Sequence, residues 1–402
     1  DYMMSTAKNL AERYGFQRLD PPVVESINLF ARGNGEASDF FVNKEMYTIE
    51  QSDGSYIALR PEFTAGMVRA YVNNGMSSRP QPVKLYTFGP AFRHEAHQAN
   101  RFKQHTQFDC EILGETDPAA DLEVMMLAMS VYREMGFENL AFQLNSTGCP
   151  ECKPRYIKAL VAFLKGHLDK LAPIDQTRLK LNPLRILDSK EPGMDDLLAE
   201  APHIIDYLCD DCASHLADLR SMLEKLNVPY EINFRLVRGI DYYTKTVFEV
   251  WYNKIGAQSA LCGGGRYDGL AEAIGGNSTP GVGFGMGLER GVAGLKAEGI
   301  KPPSQPEPHI FVAHFGGDTK IAAVDITYAL RAAGIGTRLA FARDKRSMKS
   351  QMREANKYKI THTIIVGDGE LASGNVTVRP MTEEGGQQFE HPISDLVDLL
   401  KK

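Results

Sequence analysis

Residues 86–113 read as two β-strands joined by a short loop, and the second strand alternates between apolar and polar side chains. In a strand, successive side chains point to opposite faces of the sheet. One face of this strand holds Phe108, Cys110 and Ile112, and the other holds Gln107, Asp109 and Glu111. The pattern predicts an antiparallel hairpin with a polar strip along one side. That strip is either a solvated sheet face, as antiparallel sheets often have, or part of a binding site.

Length and composition restrict the class of protein. The chain has 402 residues, of which 43% are hydrophobic and 24% charged, with a formal net charge of −6. These values predict two or three soluble globular domains and no membrane span. The acidic balance gives no support to a DNA-coating protein, although a local basic patch could still bind nucleic acid. Six cysteines in a chain this long favour a reducing cytosol over a disulfide scaffold.

Changes of pattern along the chain predict its domains. Strands and helices mix over residues 1–149, whereas residues 150–228 are leucine- and alanine-rich at helical spacing. Strand patterns return over 229–298, and a proline-rich linker follows at 299–308. Residues 309–402 begin with the strand–helix rhythm of a small parallel sheet. We therefore expect an α+β domain with an antiparallel sheet, interrupted by a helical insertion and followed by a C-terminal α/β domain.

The stretch LRPEFTA, residues 59–65, places a carboxylate and a hydroxyl where a strand meets a helix. Glu62 and Thr64 could together hold an ammonium group there. The alternative is that Thr64 only caps the helix that runs on towards Gly75.

Two further stretches combine glycine with arginine. In RLVRGIDYY, Arg238 precedes a glycine and two tyrosines. Glycine lets the backbone come close to a ligand, and a guanidinium matches phosphate oxygens, but a surface arginine beside a core tyrosine pair is the alternative. The second stretch, 263–290, fails the dinucleotide and P-loop templates because no βαβ unit surrounds it and no Lys-Ser/Thr pair closes it. Its glycines indicate a strand left bare for a flat ligand.

Taken together, these stretches resemble the class II aminoacyl-tRNA synthetases, and specifically the histidyl-tRNA synthetase family. The arginine-containing hairpin is similar to motif 2, GFGMGLER to motif 3 and the DPPVVE region to motif 1. LVRGIDYY and GGGRYDGL are similar to the two signature peptides of the histidyl enzymes. The resemblance covers essentially the whole chain. It implies a cytoplasmic, homodimeric ligase of protein biosynthesis that converts L-histidine and ATP into histidyl-adenylate and pyrophosphate, then transfers histidine to the 3′ end of tRNA(His).

The resemblance also implies roles for individual residues. Arg93 and Arg290 would clamp the α- and γ-phosphates of ATP, and Arg101 would lie near the triphosphate. Arg238 would contact the α-phosphate at the reacting centre, so Arg238 and Arg93 are the expected catalytic groups. Magnesium is expected with ATP. The implied histidine site consists of Glu62, Thr64 and Gln107 for the α-amino group, Glu111 and Tyr243 for the imidazole, and Tyr242 and Tyr267 for the pocket wall.

Two regions are expected to contact tRNA. Gln98, in the hairpin loop, would touch the acceptor end. The C-terminal domain resembles the anticodon-binding domain of the family, and its basic stretch 343–359 includes Arg346 and Lys349. Such a run is either a solvated helix face or, beside that resemblance, a contact to the RNA backbone.

Two Cys-x-x-Cys pairs bracket the helical insertion, and they are Cys149 with Cys152 and Cys209 with Cys212. Four cysteines form a zinc ligand set, although the gap between these pairs exceeds that of usual zinc ribbons. The two ends of an insertion must lie near each other, which favours a shared site. The alternatives are a structural Zn²⁺ without a catalytic role and two pairs of free thiols.

One rival belongs to a different class of protein. It is the non-catalytic paralogue that serves as the regulatory subunit of ATP phosphoribosyltransferase and senses histidine. Those paralogues lack the anticodon-binding domain and generally lose the signature arginine. This chain has both a domain that resembles the anticodon-binding domain and the signature arginine, which favours the enzyme. Histidine-dependent exchange of pyrophosphate into ATP would distinguish the enzyme from the regulatory paralogue.

Overall fold

The computed structural model describes residues 1–34, 45–94, 102–238, 242–252, 260–303, 308–341, 346–381 and 386–401. The chain forms two compact units, Asp1–Lys301 and Pro302–Lys402. No helix in the described ranges is both long enough and apolar enough to cross a membrane.

The first unit is built on an antiparallel-rich sheet. Its strands are β1 (Gln17–Arg18), β2 (Val24–Ser26), β3 (Thr48–Glu50), β4 (Tyr56–Leu59), β5 (Val83–Phe92), β6 (Gln104–Leu113), β7 (Leu140–Ser146), β8 (Tyr230–Ile232), β9 (Thr244–Tyr252), β10 (Ala260–Arg266) and β11 (Gly281–Gly287). Within the described residues, eight of them form one sheet in the order β1-β5-β6-β11-β10-β9-β7-β8. A smaller sheet has the order β2-β4-β3.

Helices cover this framework and fill the segment between β7 and β8. They are α1 (Tyr2–Arg13), α2 (Ile27–Asn34), α3 (Thr64–Asn73), α4 (Pro118–Glu134), α5 (Cys152–Lys165), α6 (Pro173–Leu181), α7 (Met194–Ala199), α8 (Asp210–Lys225), α9 (Leu270–Ala273) and α10 (Leu288–Glu298). Short 3₁₀ turns occur at Met76–Ser78, Leu168–Lys170, Pro183–Asp188 and Ile204–Tyr207.

The predicted hairpin is confirmed, because β5 and β6 pair antiparallel from Val83 opposite Leu113 to Phe92 opposite Gln104. Its apolar face packs into the main core with α4. Its polar face is also covered, by a second cluster that includes α3 and Tyr267. Asp109 and Glu111 are each only 1% exposed. The polar strip is therefore not a solvated sheet face.

The helical segment between β7 and β8 has a hydrophobic cluster of its own. Side chains from α5, α7 and the intervening turns form it, with Tyr156, Leu160 and Leu197 fully or nearly buried. The last helix, α8, instead packs against α4, and its Leu219 and Leu223 join the main core. The amphipathic α8 thus fastens the end of the segment to the central sheet.

The second unit is a mixed sheet with helices. Its strands are β12 (Ile310–His314), β13 (Thr337–Leu339), β14 (His362–Val366), β15 (Asn375–Pro380) and β16 (Phe389–Pro392). Its helices are α11 (Gly317–Ala332), α12 (Met348–Lys357), α13 (Asp368–Ala372) and α14 (Leu396–Leu400), with a 3₁₀ turn at Ile393–Asp395. β12 pairs parallel with β13 and β14, as the strand–helix rhythm predicts. The strands β15 and β16, which that rhythm does not indicate, extend the sheet antiparallel.

Candidate active site

The polar face of β6 lies against a strand of alternating glycines. Glu111 is opposite Gly283 on β11, and Asp109 is opposite Gly285. Directly opposed residues of an antiparallel pair share a face of the sheet. A Cβ atom at Gly283 would lie 1.6 Å from Glu111 Oε2, so only glycine fits there. The expectation that these glycines bare the strand for a flat ligand is wrong at this position, since the space holds the Glu111 carboxyl group.

The Glu111 carboxyl group is held by two hydroxyl donors. Thr64 Oγ1 donates to Oε1 at 2.6 Å, and the Tyr267 hydroxyl donates to Oε2. Burial raises the pKa of Glu111 to about 8, although both hydrogen bonds act to lower it. The carboxyl group is therefore fixed in place within a nearly dry environment.

Thr64 does not cap its helix as the sequence suggests. It is the first residue of α3, and its hydroxyl is engaged with Glu111. The free N–H at this helix end is instead met by Glu62, whose two carboxylate oxygens lie 3.2 and 3.3 Å from the backbone nitrogen of Ala65. Both residues of the LRPEFTA stretch are thus buried polar groups directed at the same region.

Three buried carboxyl groups gather around this point, namely Glu62, Asp109 and Glu111. Burial raises the pKa of Glu62, and burial together with the charge of Glu111 raises the pKa of Asp109 well above its usual range. Gln107 Nε2 donates to Asp109 Oδ1 at 2.8 Å, while Asp109 Oδ2 is buried without a hydrogen-bond partner among the described residues. Carboxyl groups that raise one another's pKa form a site suited to a cation.

Three tyrosines border the carboxyl groups. The ring centroids of Tyr242 and Tyr243 lie 4.8 Å apart, and those of Tyr242 and Tyr267 lie 5.5 Å apart. Burial raises the pKa of all three phenols, so they remain neutral hydroxyl groups near pH 7. The tyrosine pair therefore packs beside ionisable groups and not in a purely apolar core.

Arg238 is positioned by a carboxylate and by a glycine. Its Nη1 donates to Glu249 Oε1 at 2.7 Å, and the indole of Trp251 donates to the other oxygen at 2.9 Å. A Cβ atom at Gly263 would lie 2.4 Å from Nη1, so the guanidinium lies over β10. Its carbon CZ is 5.9 Å from the centroid of the Tyr243 ring. Arg238 Nε is buried without a partner among the described residues.

Arg93 and Arg290 lie close to the ends of two strands. Arg93 directly follows β5, and Arg290 lies in the first turn of α10, which follows β11. Arg93 Nε donates to the carbonyl of Pro61 at 2.9 Å, and its charge lowers the pKa of Glu62 against the raising effect of burial. Arg290 Nη1 donates to the carbonyl of Ala260, at the start of β10, at 2.9 Å. Gln98 and Arg101 fall outside the residues that the structure describes.

Several residues of the site are missed by the sequence analysis. Asp109 lies on the same face of β6 as Gln107 and Glu111, and this alternate spacing could have assigned it to the histidine site. Glu289 Oε1 accepts from the backbone N–H of Thr106 at 2.7 Å, and its Oε2 is buried without a described partner. Glu249 lies on β9, and its contact with Arg238, which precedes that strand in the chain, is not indicated by the sequence pattern.

Arg266, in the GGGRYDGL stretch, is fully buried and serves the framework. It pairs with Asp121 of α4, and His215 of α8 lies 3.2 Å from the same carboxylate. This network holds β10 against two helices, and Tyr267 follows Arg266 directly.

The remaining predicted residues lie elsewhere in the molecule. The sulfur atoms of the four cysteines all lie within 4.8 Å of one another. In the second unit, Arg346 is half-buried and pairs with Glu354, whereas Lys349 is exposed.

Comparisons with known proteins agree with this arrangement. The family model described as histidyl-tRNA synthetase matches residues 2–290, and that of the anticodon binding domain matches residues 309–402. The chain is 44% identical to the histidine–tRNA ligase of Symbiobacterium thermophilum, over 98% of this chain and 92% of that relative. It is 43% identical to the histidine–tRNA ligase of Dehalococcoides mccartyi, over 100% of this chain and 95% of the relative.

A solved structure leads to the same family. The fold matches the crystal structure of apo histidyl-tRNA synthetase from S. aureus with a TM-score of 0.81 and 32% identity, covering 100% of this chain and 95% of that one. The buried carboxyl groups, the tyrosines and Arg238 lie on stretches inside the region that the synthetase family model matches. The chain therefore belongs to the histidyl-tRNA synthetase family of class II aminoacyl-tRNA synthetases.

Proposed function

We propose that this chain is a histidine–tRNA ligase that activates L-histidine with ATP and then transfers it to the 3′ end of tRNA(His). The observation that carries this proposal is the Glu111 carboxyl group, buried opposite Gly283 and held by Thr64 and Tyr267. A fixed carboxyl group beside phenol groups provides an acceptor and donors for the two nitrogens of an imidazole.

Different members of the buried carboxyl group cluster, Glu62, Asp109 and Glu111, bind different parts of histidine. Glu62 and Gln107 take the α-ammonium group, and Asp109 Oδ2, which has no hydrogen-bond partner among the described residues, offers a further acceptor. Glu111 and Tyr243 take the imidazole, with Tyr242 and Tyr267 as walls. Thr64 acts mainly through Glu111, to which its hydroxyl donates. A site built to hydrogen-bond a substrate group rejects analogues without it by roughly 10⁴-fold, because its buried partners stay unpaired.

Activation is a phosphoryl-transfer step without a side-chain nucleophile. A carboxylate oxygen of histidine attacks the α-phosphorus of ATP, and a new oxygen–phosphorus bond forms as the bond to the bridging oxygen breaks and pyrophosphate leaves. Arg238 stabilises the negative charge on the α-phosphoryl oxygens, and Arg93, Arg101 and Arg290 bind the triphosphate. Positioning and fixed charge supply the catalysis.

Magnesium enters with ATP as part of the substrate. Glu289 Oε2 is a buried carboxylate oxygen without a described partner, and Mg²⁺ prefers oxygen ligands of this kind. We assign Glu289 as its protein ligand. Bound there, the ion would offset charge on the phosphates.

Transfer RNA binding is assigned to the second unit. Lys349, Arg353 and Lys357 are all exposed on α12, and their spacing of four residues puts them on one face of the helix. That face supports contact with an RNA backbone better than Arg346, whose guanidinium pairs with Glu354. Gln98 keeps its assignment to the acceptor end.

We also assign the chain to a cytosolic homodimer. The smaller sheet has a face on which Val24 is 43% and Ile49 is 50% exposed, and Ile57 lies opposite Ile49. An apolar face of this kind next to the motif 1 prolines supports a subunit interface. The six cysteines, all within the described residues, form no disulfide, which supports a reducing compartment.

Histidine-dependent exchange of labelled pyrophosphate into ATP tests the proposal. We expect exchange with L-histidine, background exchange with the other amino acids, and charging of tRNA(His) transcripts. Histidine binding without any exchange would contradict the proposal and favour a histidine-sensing regulatory protein.

A further inference from the structure

The four cysteines at the two ends of the helical segment have a geometry that suits a metal ion. The sulfur atoms of Cys149 and Cys152 are 3.5 Å apart, and those of Cys149 and Cys209 are 3.9 Å apart. A disulfide would need about 2.0 Å between sulfurs. A tetrahedral zinc ion with zinc–sulfur bonds of about 2.3 Å puts its sulfurs about 3.8 Å apart. The observed separations lie on both sides of that value.

The backbone presents each pair of cysteines in the same way. Cys152 begins α5, and Cys209 directly precedes α8. In each pair the first cysteine's carbonyl accepts a helical hydrogen bond, from Lys153 at 3.0 Å and from Ala213 at 2.9 Å. The N–H of Cys209 donates to the sulfur of Cys152 at 3.0 Å, so the two turns are already joined. Such N–H···S contacts are the outer interactions that orient thiolate ligands.

We propose that Cys149, Cys152, Cys209 and Cys212 bind one structural Zn²⁺ that fastens the two ends of the helical segment together. Four protein ligands leave no open coordination position for a substrate, which makes the site structural and not catalytic. A bound zinc would join residues about 60 positions apart in sequence and so restrict the unfolded chain. Lys245, whose Nζ lies 2.8 Å from Asp211, also interacts electrostatically with Cys212.

The site is also connected to the segment that carries Tyr243. Thr147, two residues before Cys149, donates through its hydroxyl to the carbonyl of Tyr243 at 3.2 Å. The backbones of Thr147 and Gly148 exchange hydrogen bonds with Lys245 at 2.7 and 2.8 Å. Zinc would therefore help to position Tyr243, a consequence that rests on the proposed histidine site. Loss of zinc should raise the KM for histidine more than it lowers kcat.

Metal analysis of the purified protein tests the proposal. We expect about one zinc per chain, as a closed four-cysteine site requires. The variants Cys209→Ser and Cys212→Ser should lose most of that zinc. Cys110→Ala, which removes a buried thiol outside the cluster, should keep it. Refolding in cobalt should produce the strong visible absorption of a tetrahedral sulfur site.

A second measurement uses the unaltered protein and so does not depend on whether the cysteine variants fold. In the unaltered protein, a mercurial thiol reagent should release zinc in step with modification of the four thiols, detected with a chromogenic chelator. Zinc-free protein from zinc-supplemented cells, stoichiometric iron in place of zinc, or full zinc retention by Cys209→Ser would each overturn the proposal. Pyrophosphate exchange in a zinc-free protein would still support the ligase, so the two proposals fail separately.

Discussion

Glu111 shows how one buried carboxyl group shapes the chemistry of this site. Its two oxygens accept hydrogen bonds from Thr64 and Tyr267, and Glu62 and Asp109 are buried close enough to interact electrostatically. Keeping several carboxylates ionised in such a place is unfavourable without a cation. In the proposed function, histidine brings an ammonium group and a basic imidazole, and their positive charge would offset the charge of the clustered carboxylates.

The pH dependence of stability should reveal this group. The pKa of Glu111 is about 8 in the folded chain against an ordinary value of 4.5, so the folded state holds the proton more tightly. Proton binding by Glu111 therefore stabilises the folded state. This stabilisation is fully present below pH 4.5 and is lost as the pH rises through about 8. Glu111→Gln cannot titrate, and its melting temperature should fall less than that of the unaltered protein from about pH 5 to about pH 9. Parallel melting curves for the two proteins would rule this out.

Arg238 should be tested with lysine, which keeps the charge but lacks the planar fork. We expect Arg238→Lys to lower kcat for pyrophosphate exchange by about 10²–10³-fold, as loss of a charge-stabilising donor does, with a smaller change in the KM for histidine. Lysine can still pair with Glu249, which limits the structural damage. An unchanged kcat would remove Arg238 from the reacting centre.

At the scale of elements, the β11 strand builds the site by having no side chains where its neighbour needs room. Gly283 leaves space for Glu111, and Gly263 on β10 leaves space for Arg238. The strand register puts Gly283 opposite Glu111 and Gly263 opposite Glu249, so position along the sheet and not sequence proximity assembles the site.

A pair of glycine substitutions tests this description. Gly283→Ala forces a methyl group onto the Glu111 carboxyl and should lower the free energy of unfolding by about 1–3 kcal/mol while weakening histidine binding. Gly287→Ala, on the same strand, has no atom within 4 Å of the added carbon and should leave the stability nearly unchanged. Chemical denaturation measures both. Equal stability of the two variants would show that the strand has room to adjust.

The elements themselves follow well from the sequence, because alternation on β6 and helical spacing on α5 and α8 are local patterns. The polar residues on one face of β6 indicate a binding site, but they do not show whether that face is buried or exposed to water. Its burial depends on α3 and Tyr267, which come from other parts of the chain. The pairing of Arg238 with Glu249 depends on how the chain before β9 folds back onto that strand, which no local pattern encodes. The backbone N–H of Ala65 at the start of α3 donates to Glu62 and not to Thr64, because Thr64 is itself the first residue of the helix and its hydroxyl donates to Glu111.

At the scale of the whole molecule, the proposed function assigns activation to the first unit and RNA recognition to the second. The α12 face of the second unit carries Lys349, Arg353 and Lys357, all exposed. We expect the charge on this face to contribute to binding of a phosphate backbone and not to the chemistry of the first unit.

Charge reversal on this face tests that division. The triple variant Lys349→Glu, Arg353→Glu and Lys357→Glu should weaken tRNA(His) binding by about 10-fold or more and reduce its salt dependence. Histidine-dependent pyrophosphate exchange should stay unchanged, because it needs no tRNA. Lys320→Glu, an exposed position on α11 of the same unit, is the matched control and should have little effect. Loss of exchange in the triple variant would contradict the division.

A crystal structure of this protein with a non-hydrolysable histidyl-adenylate analogue would test the proposed histidine and phosphate sites together. We expect the imidazole between Glu111 and Tyr243, the α-ammonium group at Glu62 and Gln107, and the phosphate-equivalent group on Arg238. An imidazole bound away from Glu111, or an Arg238 guanidinium turned from the phosphate position, would contradict this expectation.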